Sequence, residues 1–249
     1  MPRRSLLKPA ERAELLAFPV DEADLIRHYT LSAPDLSVIQ RRRGDHNRLG
    51  FTVLLCCLRH PGFILPPDTD PPFPLLAFIG QQLQISPDVW SLYAQRAQTR
   101  REHLVELQDW LRLTLFCAAD YRRLSNQLTE LGRQTDHGLI IAAALVERLR
   151  QQRIILPTAD VIDRLCGEAM ARGTRQMYEA LIAPLSDLHR RSLDQLLTLR
   201  DGTKSSGLIW LRQPPGPPKP RHLLIHLSRL KAIDELDFPL GLEHTIHQN

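Results

Sequence analysis

RHYTLSAPDLSVIQRRRGDHNRLGFTVLLCCLRHPG, residues 27–62, is where helix, core and charge signals meet. Ser32 followed three residues later by Asp35 has the spacing of a helix N-terminal cap, and Pro34 is tolerated in a first turn. A helix is therefore expected from Ser32 to Arg43, broken by Gly44 and Asp45. A second helix is expected from the cap residue Asn47 through LGFTVLLCCL, Leu49 to Leu58, until His60, Pro61 and Gly62 stop it. This second helix is apolar almost all round. A helix without a polar face has to be buried in a bundle, leaving only its ends, Asn47 and Arg48 on one side and Arg59 and His60 on the other, to reach solvent or a partner. The pair reads as a helix-turn-helix-like unit near residues 32–60 of an all-α, multi-helical fold.

Charge gathers in the same stretch. Arg27, Arg41, Arg42, Arg43, Arg48 and Arg59 stand against Asp35 and Asp45, an excess of four, and the whole chain of 249 residues also nets +4. Arginines beside a helix N-terminus, whose free amides attract anions, suit phosphate. The competing reading is a solvated helix face. Arg43, four residues after Ile39 and seven after Leu36, would lay its stem along the edge of the core. Lys8, Lys204, Lys219 and Lys231 are the chain's lysines, so most of the basic charge is carried by arginine, whose fork fits phosphate or guanine bidentately.

Outward from this stretch the pattern stays helical. Pro9 to Phe18 and Asp21 to Tyr29 read as short helices with Leu15, Leu16, Leu25 and Ile26 as core candidates. The proline-rich run 61–74 reads as a loop into the helix LLAFIGQQL, and Ser86-Pro87-Asp88 starts a short helix. Thr99 and Glu102 have a capping-box spacing that puts Arg100 and Arg101 in a first turn, where the dipole disfavours cations and a bound phosphate would reverse the penalty. Leu104, Leu107 and Leu111 form the buried face of that helix. Helices follow over 120–132 and 138–153. Thr158 begins a long helix with Val161, Ile162, Leu165, Cys166, Ala169 and Met170 inward, and further helices are expected over 186–199 and 221–236, the last carrying Leu223, Leu227 and Leu230. Ile154-Ile155-Leu156-Pro157 marks the expected division into two lobes, 1–153 and 154–249. The first carries a net +3 and the second +1, so the first is expected to supply most of the attraction for a polyanion.

With 43% hydrophobic and 24% charged residues the composition is that of an ordinary globular protein. The apolar runs are too short to span a bilayer and no secretory segment opens the chain, so a cytoplasmic location is expected. Cys56, Cys57, Cys117 and Cys166 form no C-x-x-C and read as reduced core residues. The zinc-protease, nucleophile-elbow and P-loop motifs are absent, and no third ligand accompanies His222 and His226 or His244 and His247. Asp136, Asp160, Asp163 and Glu168 could hold metal ions for phosphoryl transfer, although nothing distinguishes them from surface charges. No catalytic residue, metal or cofactor is assigned.

YTLSAPDL, RRRGDHNRLGF and LRHPG, continued by RREHL from Arg100, RIILP from Arg153, VIDRLCGEA from Val161, WLRQPPGPPKP from Trp210 and the terminal HQN, resemble the N-terminal region of the Tn-three family of replicative transposases. The resemblance covers essentially the full chain. It implies recognition of double-stranded DNA at transposon terminal inverted repeats, with self-association on DNA as a further expectation. In that family the acidic catalytic triad lies in a ribonuclease-H-like domain much farther along. These 249 residues stop before it, so a DNA-binding portion without strand transfer is expected. Arg41, Arg42, Asn47 and Arg48 are the first candidates for DNA contact, then Arg100 and Arg101, with Arg43 and Arg59 behind them because of core packing. The rivals are a helical protein-interaction module, which the 6% aromatic content disfavours, and a metal-dependent nuclease.

Overall fold

The computed structural model describes residues 6–93, 97–199, 204–214, 216–237 and 239. Among them the chain forms α1 (Pro9–Leu15), α2 (Glu22–Tyr29), α3 (Ala33–Ile39), α4 (Asp45–Arg59), α5 (Phe73–Leu83), a 3-10 turn (Pro87–Leu92), α6 (Ala97–Leu111), α7 (Ala118–Gln134), α8 (Gly138–Gln151), α9 (Ala159–Ile182), α10 (Asp187–Leu197), α11 (Gly207–Arg212) and α12 (Pro220–Asp234). No sheet is formed among the described residues, so the all-α reading holds; the two backbone bridges, Thr114 with Ile154 and Leu199 with Ser206, are isolated. No helix among the described residues is long and apolar enough to cross a membrane.

Helix α4 is the axis of the first core. Every residue from Leu49 to Leu58 is buried, as an all-round apolar helix requires. Helices α2, α3, α5, α6 and the 3-10 turn surround it, contributing Leu25, Tyr29, Val38, Ile39, Leu75, Ile79, Tyr93 and Leu107. Gly50 is the point of closest approach. A Cβ there would come within 2.1 Å of the Tyr93 ring, so only glycine lets the turn lie against the helix. A second core joins Leu124 and Leu128 of α7, Ile141 to Leu149 of α8, and Ile162, Leu165, Cys166 and Ala169 of α9. At Gly132 an added Cβ would come within 2.8 Å of the Ala169 carbonyl oxygen, so α7 and α9 meet nearly backbone to backbone.

The structure differs from the sequence reading at several points. Ile26 is exposed, and Tyr29 takes its place in the core, because α2 buries a single stripe at i and i+4. Thr99 lies inside α6, which already runs at Ala97. Cys56, Cys57 and Cys166 are buried free thiols, but Cys117 is exposed beside Asp120. The compact units are Met1–Arg172 and Gly173–Asn249, so the division falls after the position expected at Arg153. The reason is local: Ile154, Ile155 and Leu156 are buried, Ile155 N–H donates to the Thr114 carbonyl, and Leu156 N–H donates to the Gly62 carbonyl, both at 2.9 Å. The start of α9 completes the same core. Divided there, the first unit holds 22 basic and 20 acidic side chains and the second 10 and 8, so both net +2 and the expected charge asymmetry disappears.

The second unit is built differently. Among its described residues no large apolar side chain is buried, and Leu223, Leu227 and Leu230, which the sequence places on the last helix, are exposed. The sequence pattern gives an apolar stripe; it does not say that anything covers it.

Gly50→Ala is expected to lower the unfolding free energy by about 1–3 kcal/mol through overpacking against Tyr93. Urea denaturation followed by circular dichroism measures this; an unchanged midpoint would mean that the Tyr93 ring is free to move aside.

Candidate nucleic-acid interface

The arginines of residues 41–59 divide into those that hold the fold and those that do not. Helix α3 stops at Ile39, the last residue of its apolar stripe, so Arg41, Arg42 and Arg43 lie in a loop and not on the helix expected to reach Arg43. Arg41 and Arg42 N–H groups bond the Val38 and Ile39 carbonyls at 3.3 and 3.0 Å as the chain unwinds. Gly44 then turns it with φ +79°, a left-handed value that favours glycine, and caps α4, which starts at Asp45 and not at Asn47.

Arg42 faces inward. Its guanidinium makes two bonds of 2.7 Å to the Glu106 carboxylate on α6 and lies 5.0 Å from the centre of the Phe51 ring. Phe51 meets His103 edge-on, and His103 Nδ1 is 3.0 Å from the Tyr93 hydroxyl. Burial, then the neighbouring Arg42 charge, push the His103 pKa down, which favours the neutral ring. Arg42 thus fastens the α3–α4 loop to α6. Arg48 Nε donates to the Arg42 carbonyl at 3.1 Å and Asn47 Nδ2 to the Arg43 carbonyl at 2.9 Å, so two side chains of α4 hold the loop backbone from the other side.

Arg59 is committed at the far end of α4. It binds both oxygens of Asp35, one at 2.9 Å. Asp35 is 2% exposed and also closes the capping box at Ser32, accepting from the Ser32 N–H at 2.9 Å and hydroxyl at 2.6 Å. Burial alone would raise the Asp35 pKa; the hydrogen bonds from Arg59 and Ser32 outweigh it and hold it at about 2. Arg100 donates to the Leu65 carbonyl. Nearby, His60 stacks on His28 with ring centres 3.9 Å apart, and burial, His28 and Arg150 together bring it down to about 4.

Arg41, Arg43 and Arg101 remain. All three are exposed, and among the described residues their side chains make no hydrogen bond or ion pair. Arg43, expected along the core edge, is solvated because the loop, not a helix, carries it. Of the candidates, then, Arg41, Arg43 and Arg101 face solvent, Arg48 and Asn47 brace the loop, and Arg42, Arg59 and Arg100 are tied into the fold. Of the acidic residues weighed for metal binding, Asp160 and Asp163 pair with Arg12, Glu168 with Arg172 and the Tyr121 hydroxyl, and Asp136 is exposed beside His137. Among the described residues no group of three His, Cys, Asp or Glu side chains could hold a metal ion.

Glu106, His103 and Tyr93 were not candidates from the sequence. Glu106 is 64 residues from Arg42, and nothing periodic links the two positions.

Residues 6–169 match the family described as a domain of unknown function, DUF4158. The chain belongs to the DUF4158 family. The match ends close to Arg172, where the first compact unit ends, so the matched stretch and this unit nearly coincide. Over the whole chain the sequence is 51% identical to the transposase for transposon Tn3926 and 50% identical to that for Tn21, both from Escherichia coli. It is 49% identical to the transposase for Tn501 from Pseudomonas aeruginosa. In each case the chain spans about 25% of the relative's length, its N-terminal quarter. The resemblance to the N-terminal region of Tn-three family transposases therefore stands across the full chain.

The Asp35–Arg59 pair makes a pH prediction. The folded-state pKa lies below the unfolded value, so the pair's contribution is complete above pH 4 and is lost as the pH falls from about 4 to about 2. Asp35→Asn should remove that acid-sensitive component from urea melts run across this range. Arg59→Met, which leaves Asp35 buried without its cation, should cost about 3 kcal/mol at neutral pH. A flat response of the native protein between pH 4 and 2 would refute the pairing.

Proposed function

We propose that this chain is the DNA-binding portion of a transposase and that it recognises the terminal inverted repeats of a transposon. The observation that carries the reading is the α3–α4 loop. Arg42, Asn47 and Arg48 immobilise its backbone, while Arg41 and Arg43 on either side of Arg42 stand in solvent, without side-chain partners among the described residues. The loop backbone has little freedom left to lose on binding, so the cost of a phosphate contact is confined to ordering the two arginine side chains. Arg101 on α6 is also exposed and, among the described residues, without a side-chain partner. Full-length similarity to proteins named as transposases supports DNA as the polyanion. In this reading Arg41 and Arg43 supply the contacts, and Arg42, Arg59 and Arg100 supply the scaffold.

Titration of the protein against a duplex carrying a Tn21 or Tn3926 terminal sequence, followed by fluorescence anisotropy, tests it. Arg41→Ala with Arg43→Ala should weaken binding tenfold or more, about 1.4 kcal/mol, with the melting temperature unchanged. A scrambled duplex should bind more weakly than the terminal one. Equal affinity of the double variant and the native protein would remove the loop from the interface, and failure to bind any duplex would favour the protein-interaction reading.

A further inference from the structure

Helix α12 presents an apolar face with nothing against it among the described residues. Its rotation is fixed by its back. Arg229 donates to the Gln213 carbonyl at 2.8 Å and to Gln213 Oε1 at 3.1 Å, and lies 5.7 Å from the centre of the Trp210 ring. His222 closes on Gly216, where an added Cβ would come within 1.9 Å of its ring. Those two contacts turn Leu223, Leu224, Leu227 and Leu230 outward, each 55–66% exposed. Positions 223, 227, 230 and 234 repeat at the four-three spacing of a two-helix seam. Four large leucines on one face of a helix are more than scattered surface apolar residues.

The charges say what covers them. Lys219 and Arg221 stand at the N-terminal end of α12, Asp234 and Glu235 at its C-terminal end, all exposed and, among the described residues, without an ion pair. Lys231 in the last turn suits the helix dipole, but the charges at the two ends oppose it, since the dipole favours acidic residues at the N-terminus and basic ones at the C-terminus. An antiparallel copy of the same helix corrects it from outside. We propose that the outward face of α12 is the contact between two copies of this chain, packed antiparallel about Leu227.

A two-fold axis at Leu227 sets this residue against itself, Leu223 against Leu230 of the second copy, and Lys219 beside its Asp234. Lys219 and Asp234 lie eight and seven residues from Leu227, roughly 10–12 Å along the axis at 1.5 Å per residue, so the register that matches the leucines also matches the charges. Lys231 lies at the edge of the seam, where its stem covers apolar surface and its ammonium reaches water. An unrelated partner would not require a face that is its own complement in both leucines and charges. The proposal rests on the second unit alone and is independent of the DNA reading.

Sedimentation velocity of the full chain over a concentration series tests it. The mass should rise from 28.5 kDa toward twice that value. Leu227→Glu should weaken association at least a hundredfold. Lys219→Glu should weaken it about tenfold, and Lys219→Glu combined with Asp234→Lys should restore it. All three positions are exposed, so circular dichroism should show unchanged helicity in each variant. A monomer at every concentration would overturn the proposal and leave the leucines to another occupant, such as later sequence in a longer transposase. A dimer indifferent to Leu227→Glu, or a charge swap that fails to restore association, would overturn it too.

Discussion

Helix α4 has no polar face between Leu49 and Leu58, and this single fact dictates much of the first unit. A helix buried all round must be surrounded by several others, and its ends must be fixed by side chains because its flanks offer only packing. At one end Arg59 holds the buried Asp35, which itself caps α3. At the other, Arg48 and Asn47 hold the loop backbone, and Arg42 of that loop holds Glu106 of α6. Removing one partner from the buried pair would leave a charge in a medium that cannot solvate it, so the pair sets the register of α3 against α4 as well as contributing to stability.

The arginine-rich stretch then separates into two structural groups. Arginines with acidic or carbonyl partners build the loop; those without partners are available to a polyanion. The division follows from backbone geometry more than from composition. In a short loop that has left the helix, neighbouring side chains can diverge, so Arg42 turns in toward Glu106 while Arg41 and Arg43 face solvent.

Periodicity made most of the helices legible in the sequence, and the buried character of α4 followed from the absence of any polar face. The Ser32–Asp35 capping box was legible because it is local. What could not be read were relations between distant residues: Arg42 with Glu106, Asp35 with Arg59, and the bonds of Thr114 and Gly62 to Ile155 and Leu156 that keep the start of α9 in the first unit. For the same reason Arg41 and Arg42 look equivalent in the sequence, although among the described residues only Arg41 lacks a side-chain partner. In the second unit the leucine stripe of α12 was legible and its exposure was not, since amphipathic spacing is the same whether a helix packs within its own chain or against another.

The central claim is that the loop between α3 and α4 contacts phosphate through Arg41 and Arg43 while Arg42 only holds it in place. The salt dependence of duplex binding measures this most directly, because each phosphate neutralised changes the slope of log affinity against log salt by roughly −0.9. Replacing Arg41 and Arg43 with alanine should make the slope less negative by about 1.8, with the thermal melt unchanged. Identical slopes for the native and double-variant proteins would contradict the account.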